Sequence, residues 1–171
     1  MGCGETEMIY FIADTHFNHT NIIKYCDRPF TSVEQMNAFM IKRWNETVKK
    51  DDVVYHLGDF ALSYKPEVMP LVPQLNGIKY LVKGNHDSYT NQFYRDCGFK
   101  EVYDKPIILN EFLILSHEPI PWKISPIFLN LYGHIHNSDL FQTWGSGAAC
   151  MCVERHNYTP VSLDTIKLHY A

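Results

Sequence analysis

Apolar runs along the chain alternate with polar turns and with amphipathic segments. The first half contains three short apolar runs, at residues 8–13, 53–57 and 78–82, and a polar turn follows each of them. Runs of this length between turn residues are typical of buried strands. Between the first two runs, apolar residues recur at helical spacing from Val33 to Val48. Strands that alternate with helices predict an α/β fold.

Two helices are predicted in this half of the chain. Thr31, followed three residues later by Glu34, has the form of a capping box and opens a helix that we expect to run to about Lys50. A shorter helix is predicted over residues 67–75, although Pro70 and Pro73 interrupt it.

The second half of the chain has a different pattern. Runs at residues 106–109 and 112–115 flank Asn110-Glu111 and predict an antiparallel hairpin. Further strands are predicted at 128–132 and 149–153, whereas 161–170 fits either a strand or a short helix. A chain of 171 residues with 46% hydrophobic composition can bury one sizeable core. We therefore expect a single domain over 1–171, with residues 1–7 as a flexible N-terminus.

Polar side chains with oxygen or nitrogen donors follow most of the predicted strands. They are Asp14, His16, Asp59, Asn85, His86, Asp87, His117, His134 and His136. Ligand sites in α/β sheets form at strand ends, and imidazole, carboxylate and amide donors suit divalent transition metals. A carboxylate can also bridge two ions, which would then hold an attacking water and a phosphoryl oxygen. A lone histidine inside a strand, such as His56, is instead expected to be packed and hydrogen-bonded.

The order of these motifs resembles that of the calcineurin-like metallophosphoesterases, whose pattern is D-x-H, G-D, G-N-H-[DE], H and G-H-x-H. The matching segments are Asp14-Thr15-His16, Gly58-Asp59, Gly84-Asn85-His86-Asp87, His117 and Gly133-His134-Ile135-His136. The resemblance spans residues 8–136. The segments at 14–23 and 28–30 are further similar to a branch of small bacterial and phage phosphoesterases, although Asn18 stands where that branch usually has Gly.

This resemblance implies a fold, a cofactor and a reaction. The fold is a four-layer sandwich of two mixed β-sheets flanked by helices, with the site at one edge. The cofactor is a pair of divalent ions, such as Mn, Fe, Zn, Ni or Co. Asp14, His16 and His136 would hold one ion, Asn85, His117 and His134 the other, and Asp59 would bridge them. A metal-bound hydroxide would attack a phosphate mono- or diester in line, while His86, oriented by Asp87, assists the leaving group.

Three further residues are candidates for substrate binding, each with a structural alternative. His19 could reach the phosphate or could be an ordinary loop histidine. Arg28 could form a bidentate phosphate contact or could shape the entry to the helix. Trp122 could stack on a base, or its proline-rich segment could pack on the core.

The net charge and the cysteine pattern indicate which binding partner and which cellular compartment to expect. The net charge of −4 and the lack of a basic stripe argue against a long nucleic acid, so we expect a small phosphorylated substrate such as a nucleotide. No apolar run approaches the roughly 20 residues of a membrane span. Five cysteines without a C-x-x-C pair or a secretory leader favour a reducing, cytoplasmic location. Cys150 and Cys152 suit packing better than metal binding.

Two other functions remain open at this point. The chain could be a non-catalytic module in which the metal pocket is a scaffold, although relatives of that kind lose the histidine that His86 matches here. It could also be a nuclease that acts on short nucleic-acid ends.

Overall fold

The computed structural model of the chain describes residues 7–62, 64–120, 128–138 and 147–170. The described strands are β1 Ile9–Ile12, β2 Val53–His56, β3 Ile78–Val82, β4 Glu101–Tyr103, β5 Ile107–Leu109, β6 Leu113–Leu115, β7 Leu129–Tyr132, β8 Ala148–Cys150 and β9 Val161–Ser162. The described helices are α1 Ile22–Tyr25, α2 Val33–Thr47, α3 Lys65–Val68, α4 Asn91–Cys97 and α5 Leu163–Tyr170. Most of the predicted N-terminal segment, residues 1–6, lies outside these ranges.

The first sheet has the strand order β4-β3-β2-β1-β9. Its strands β1 to β4 are parallel, and β9 pairs with β1 in the antiparallel direction. Parallel neighbours require crossover connections, which the helices between these strands supply. Because β1, β2 and β3 are adjacent and parallel, their carboxyl ends lie side by side at one edge of the sheet.

The second sheet has the order β5-β6-β7-β8 and is also mixed. Its β5–β6 pair is antiparallel, whereas β6–β7 and β7–β8 are parallel. Asn110 and Glu111 in the connection have φ angles of 52° and 65°, as tight hairpin turns require. This confirms the predicted hairpin. Two mixed sheets flanked by helices confirm the predicted fold class.

Two apolar cores hold these layers together. In the first, Met36, Met40 and Trp44 of α2 pack against buried residues of the first sheet, among them Val54 and Leu81. The second lies between the two sheets and contains apolar side chains of β1, β6, β7 and β9. The helical spacing seen in the sequence therefore marks the face of α2 that is buried.

Several element boundaries differ from the predicted ones, for local chemical reasons. Ser32, not Thr31, is the N-cap of α2, and its hydroxyl accepts from Gln35 N. The side chain of Gln35 in turn accepts from Thr31 N at 2.8 Å, so the capping pair is displaced by one residue. The predicted helix over 67–75 is divided into α3 and a 3₁₀ turn at Val72–Gln74, because proline removes a helical hydrogen-bond donor. The ambiguous segment 161–170 contains both a strand and a helix.

Two helices and one strand were not predicted. They are the short helix α1, the helix α4, which begins after the N-cap Thr90, and β4, which adds a fourth parallel strand. The end of α4 carries a recognisable signal, since Gly98 adopts the left-handed φ of 116° common after a helix. No helix in the described ranges is long and apolar enough to cross a membrane.

We expect the buried face of α2 to carry much of the stability of the fold. Trp44 is 1% exposed, and its Nε1 donates to Asn76 O at 3.0 Å. Trp44→Ala should therefore lower the free energy of unfolding by about 3–5 kcal/mol. Phe39→Ala, at a position on the same helix that is 36% exposed, should cost clearly less. Urea unfolding of both variants checks this, and equal losses would contradict the assignment of the buried face.

Candidate metal centre

The candidate site lies where the carboxyl ends of strands from both sheets meet. Asp14 N donates to Gly58 O at 3.0 Å, which ties the residues after β1 to those after β2. Ala13 N donates to Met151 O at 2.9 Å, which ties the same point to the second sheet. The predicted ligands therefore belong to loops that are hydrogen-bonded to one another.

The first donor cluster contains Asp14, His16 and His136, whose ligand atoms all lie within 4.8 Å of one another. Asp14 Oδ1 is 3.6 Å from His136 Nε2 and 3.9 Å from His16 Nε2. Asp14 Oδ1 and His16 Nε2 are buried and have no hydrogen-bond partner in the described part of the chain. Buried polar atoms nearly always have a hydrogen-bond partner, so two neighbouring ligand atoms that lack one fit a bound metal ion.

The second cluster contains Asn85, His117 and His134. Asn85 Oδ1 lies 3.0 Å from His117 Nε2 and 3.1 Å from His134 Nδ1, and these two nitrogens are 3.1 Å apart. The other nitrogen of His117, Nδ1, lies 2.9 Å from Leu57 O and can only donate there. A proton on Nδ1 leaves the lone pair of Nε2 directed into the cluster.

Asp59 lies between the two clusters. Its Oδ2 is 3.5 Å from His16 Nε2 of the first cluster and 3.5 Å from His117 Nε2 of the second. Its Oδ1 accepts from His86 N at 2.8 Å. The resemblance implied that Asp59 bridges two ions, and the structure brings its Oδ2 near a histidine nitrogen of each cluster.

The repulsion between buried carboxylates and the neutral state of the histidines fit a bound cation. Burial, followed by repulsion from Asp59, raises the pKa of Asp14 well above its usual value. Burial, followed by the neighbouring His136, lowers the pKa of His16, and burial also lowers the pKa of His117. Neutral imidazoles are the form that binds metals, and a divalent cation would offset the repulsion between two buried carboxylates. The Asp and His clusters can therefore hold divalent metal ions.

Three glycines give the ligands the space that they occupy. A Cβ atom on Gly58 would lie 2.5 Å from His117 Nδ1, and one on Gly84 would lie 2.6 Å from Asp59 N. A Cβ atom on Gly133 would overlap Asp14 Oδ2. The glycines of the G-D, G-N-H-D and G-H-x-H motifs are therefore packing requirements of the site.

Most of the predicted ligands have a left-handed backbone. The φ angles are 57° for Asp14, 48° for His16, 55° for Asp59, 71° for His134 and 49° for His136. This conformation is uncommon outside glycine and costs about 1–3 kcal/mol per residue, and it is concentrated at functional sites. The hydrogen bonds between the loops hold these residues in it.

Glu154 is a site residue that the motif analysis missed. Its Oε1 lies 2.9 Å from His136 Nδ1 and also accepts from Arg28 Nη2 at 2.7 Å. Burial raises the pKa of Glu154, but His136 and Arg28 outweigh burial and the net shift is downward. An ionised Glu154 fixes the proton on His136 Nδ1, so His136 Nε2 faces Asp14. Glu154 directly follows the predicted strand 149–153, so the strand-end criterion that identified the other ligands also marks this residue.

The carboxylate of Asp87 binds backbone N–H groups of the site, and its orienting role toward His86 stays a prediction. Asp87 is 2% exposed, and its Oδ2 accepts from Asp59 N at 2.7 Å and from Gly84 N at 2.9 Å. Its Oδ1 accepts from Phe60 N at 3.1 Å. Burial raises its pKa to about 6. Asp87 therefore joins the loops after β2 and β3 and fixes the backbone of Asp59.

Arg28 is directed into the protein and not toward an open substrate site. It is 3% exposed, and its guanidinium donates to Asp14 O, Thr15 O and Glu154 Oε1. Its Nη1 also contacts Met36 Sδ. A phosphate contact by Arg28 would require these bonds to break, so the predicted substrate contact does not fit the structure. Arg28 instead supports the backbone of the first ligand loop, a structural role that differs from the predicted one at the entry to the helix.

The other two substrate candidates have different outcomes. His19 Nδ1 lies 3.3 Å from His16 Nδ1, and the ring of His19 is half-buried, 6.4 Å from the ring of His86. His19 thus lies beside a ligand and near the predicted catalytic imidazole, and its contact with substrate stays a prediction. Trp122 lies outside the described residues.

The remaining predictions concern buried residues near the site. His56 is fully buried and its Nε2 is 2.9 Å from Thr15 Oγ1, in agreement with a packed histidine, whereas its Nδ1 has no hydrogen-bond partner among the described residues. Cys150 and Cys152 are also fully buried, in agreement with a packing role. Cys152 Sγ lies 3.3 Å from Asp14 Oδ2, so it packs directly against the first cluster.

Gly84→Ala should weaken metal binding more than it weakens the fold. The added methyl group would collide with Asp59 N and with His117 Cε1, 2.8 Å away, and would displace both residues. We expect metal affinity to fall at least about tenfold, measured by competition with a chromophoric chelator. Gly98→Ala is the matched control, because its φ of 116° makes alanine strained there but its Cβ would contact only Val72. A Gly84→Ala protein that binds metal like wild type would contradict the geometry.

Glu154→Gln should lower metal affinity by about 10–100-fold, because the neutral amide no longer fixes the His136 tautomer. The matched control is Glu46→Gln, at a half-exposed helix position that pairs with Lys42 at 3.7 Å. Metal titration followed by thermal melting separates affinity from stability. Equal metal affinity of Glu154→Gln and Glu46→Gln would contradict a positioning role for Glu154.

Comparison with known proteins assigns the family. The model of the calcineurin-like phosphoesterase family matches residues 8–161. An uncharacterized protein of Methanocaldococcus jannaschii is 37% identical over 166 residues, which cover 92% of this chain and 88% of that protein. The gene 66 protein of Mycobacterium phage L5 is 33% identical over 81 residues, which cover 46% of this chain and 39% of that protein.

A solved structure also matches in fold. The crystal structure of a protein of unknown function from Aquifex aeolicus has a TM-score of 0.72 and 28% sequence identity, and the match covers 95% of this chain and 99% of that one. The family match extends past both donor clusters to the second half of the chain. This chain belongs to the calcineurin-like phosphoesterase family.

Proposed function

We propose that the chain is a dinuclear, metal-dependent phosphoesterase that hydrolyses a phosphate ester by in-line attack of water. The observation that carries the proposal is Asp59 Oδ2, which lies 3.5 Å from a histidine nitrogen of each donor cluster. A single carboxylate shared by two clusters can hold two metal ions close together. Family membership supports phosphoester hydrolysis as the general chemistry.

The ligand roles follow from the two clusters. Asp14, His16 and His136 would hold one ion, and Asn85, His117 and His134 the other, with Asp59 shared between them. When bound, two divalent ions supply an activated water and stabilise negative charge on the phosphoryl oxygens. The chain contributes the alignment, since Asp87 fixes the backbone of Asp59, and Glu154 fixes the ring of His136.

His86 is the proposed catalytic residue. Its ring is exposed and lies 5.4 Å from the ring of His16, while its backbone N–H is anchored on Asp59 Oδ1. An imidazole fixed at the rim of the site, and not needed as a ligand, can donate a proton to the leaving oxygen. Charge that develops on that oxygen is thereby offset in the transition state.

We propose a small phosphorylated molecule as the substrate and the cytoplasm as the location. The net charge of −4 does not favour a long polyanion, whereas bound cations would attract phosphate locally. Within the described part of the chain, Cys26, Cys97, Cys150 and Cys152 are free thiols, which supports a reducing compartment.

His86→Ala should lower kcat by about 10²–10⁴-fold and leave metal content nearly unchanged, because His86 acts on the leaving group and not as a ligand. The assay is turnover of bis-p-nitrophenyl phosphate and p-nitrophenyl phosphate after chelation and reloading with Mn²⁺. His169→Ala, an exposed histidine on α5, is the control.

Three results would count against this proposal. Metal-replete wild type that hydrolyses neither compound, nor a panel of nucleotides, would favour a metal-binding scaffold. If His86→Ala lost both bound metal and activity, His86 would be a metal ligand and not the proposed acid. Full activity in that variant would exclude it from catalysis.

A further inference from the structure

A cleft opens beside the second donor cluster. Its volume is about 380 Å³, within the range of small-molecule sites. Asn85 and His117 are part of its lining, so the cleft adjoins the place where a phosphoryl group would bind. The lining also includes Lys105, Pro106 and Ile120.

The cleft and His86 adjoin different donor clusters. The ring of His86 neighbours His16, a residue of the first cluster, and His19, at 5.4 and 6.4 Å. The cleft instead adjoins two residues of the second cluster, and His86 is not among the described residues that line it. A phosphorus atom centred over the ligands would therefore have His86 beside the first cluster and the cleft beside the second.

The charged groups of the described cleft lining sum to zero. Lys83 Nζ lies 3.0 Å from Asp104 Oδ1, and Asn91 Nδ2 donates to Asp104 Oδ2 at 2.6 Å. The other charged groups of the described lining are Lys105 and Glu118, which have opposite signs. The rest of this lining includes apolar side chains such as Val82 and Ile120. Such a surface favours an uncharged organic group over a second phosphate.

We propose that this cleft holds the second organic substituent of a phosphodiester, so that diesters with an uncharged, ring-sized second substituent are the substrate class. The proposal rests on the proposed phosphoesterase function. A monoester has one organic group, which would leave toward His86, and has nothing to fill the cleft. A diester has two, and binding of the second contributes affinity and orientation.

The reaction balances as a simple hydrolysis. The oxygen of water forms a bond to phosphorus, and the bond from phosphorus to the leaving oxygen breaks. One proton of the water is lost and one proton is gained by the leaving alcohol, with His86 as donor. The product is a phosphomonoester that still carries the substituent in the cleft.

A pair of chromogenic esters tests the proposal directly. Bis-p-nitrophenyl phosphate and p-nitrophenyl phosphate share one leaving group and differ only in the second substituent. In Ile120→Trp the indole would occupy the cleft, while the backbone stays anchored by Ile120 N donating to Asn130 Oδ1 at 2.9 Å. We expect the ratio of kcat/KM for diester over monoester to fall at least about tenfold.

The matched control is Ile108→Trp, which makes the same substitution at a position that is 63% exposed on β5 and does not line the cleft. Its ratio should equal that of wild type. Lys105→Trp, an exposed position on the cleft wall, is a second blocking variant in case Ile120→Trp unfolds, and thermal melting monitors folding in all variants.

The outcomes separate the two proposals. If wild type hydrolyses neither ester, the proposed function itself fails. If wild type hydrolyses both and the blocking variants leave the ratio unchanged, the function stands and the cleft proposal is overturned. A wild type that prefers the monoester would likewise overturn it.

Discussion

The site depends on one carboxylate that is held from two directions. Asp59 Oδ2 faces both donor clusters, and Asp59 Oδ1 receives the backbone N–H of His86. The same residue therefore sets the spacing of the clusters and the position of the proposed acid. Its backbone is in turn held by Asp87, a buried carboxylate that accepts from Asp59 N and Gly84 N. Displacement of Asp59 would disturb every part of the centre at once.

A second group of buried charged residues supports the first cluster. Arg28 donates to the carbonyl oxygens of Asp14 and Thr15 and forms an ion pair of 2.7 Å with Glu154. Glu154 also holds His136. Buried ion pairs often contribute little net stability, because desolvation offsets their attraction. Here their clearer physical role is geometric, since they connect α1, β1 and the segment after β8 at the ligands.

The features that could be predicted from the sequence are marked by apolar runs or by the order of motifs. Apolar runs located β1, β2 and β3, and the motif order identified the residues that converge. The parts that it did not predict depend on packing. Glu154 belongs to no motif; its position after a predicted strand marks it as a candidate, but its contact with His136 depends on how the chain packs. Arg28 was predicted to contact substrate and Asp87 to orient His86. Sequence spacing does not show which way either side chain points. The helix α4 was missed, although Thr90 and Gly98 carry the signals of its two ends.

At five of the predicted ligands, which have a left-handed backbone, the stability of the fold and the binding of metal favour different residues. Asp14, His16, Asp59, His134 and His136 occupy conformations that glycine would adopt at no steric cost. A sequence optimised for stability alone would replace these residues, and doing so would remove the donors that cations need. The ligand positions are thus points where the apo protein and the metal-loaded protein prefer different amino acids. Thermostability screens carried out without metal would select against the centre that they are meant to preserve.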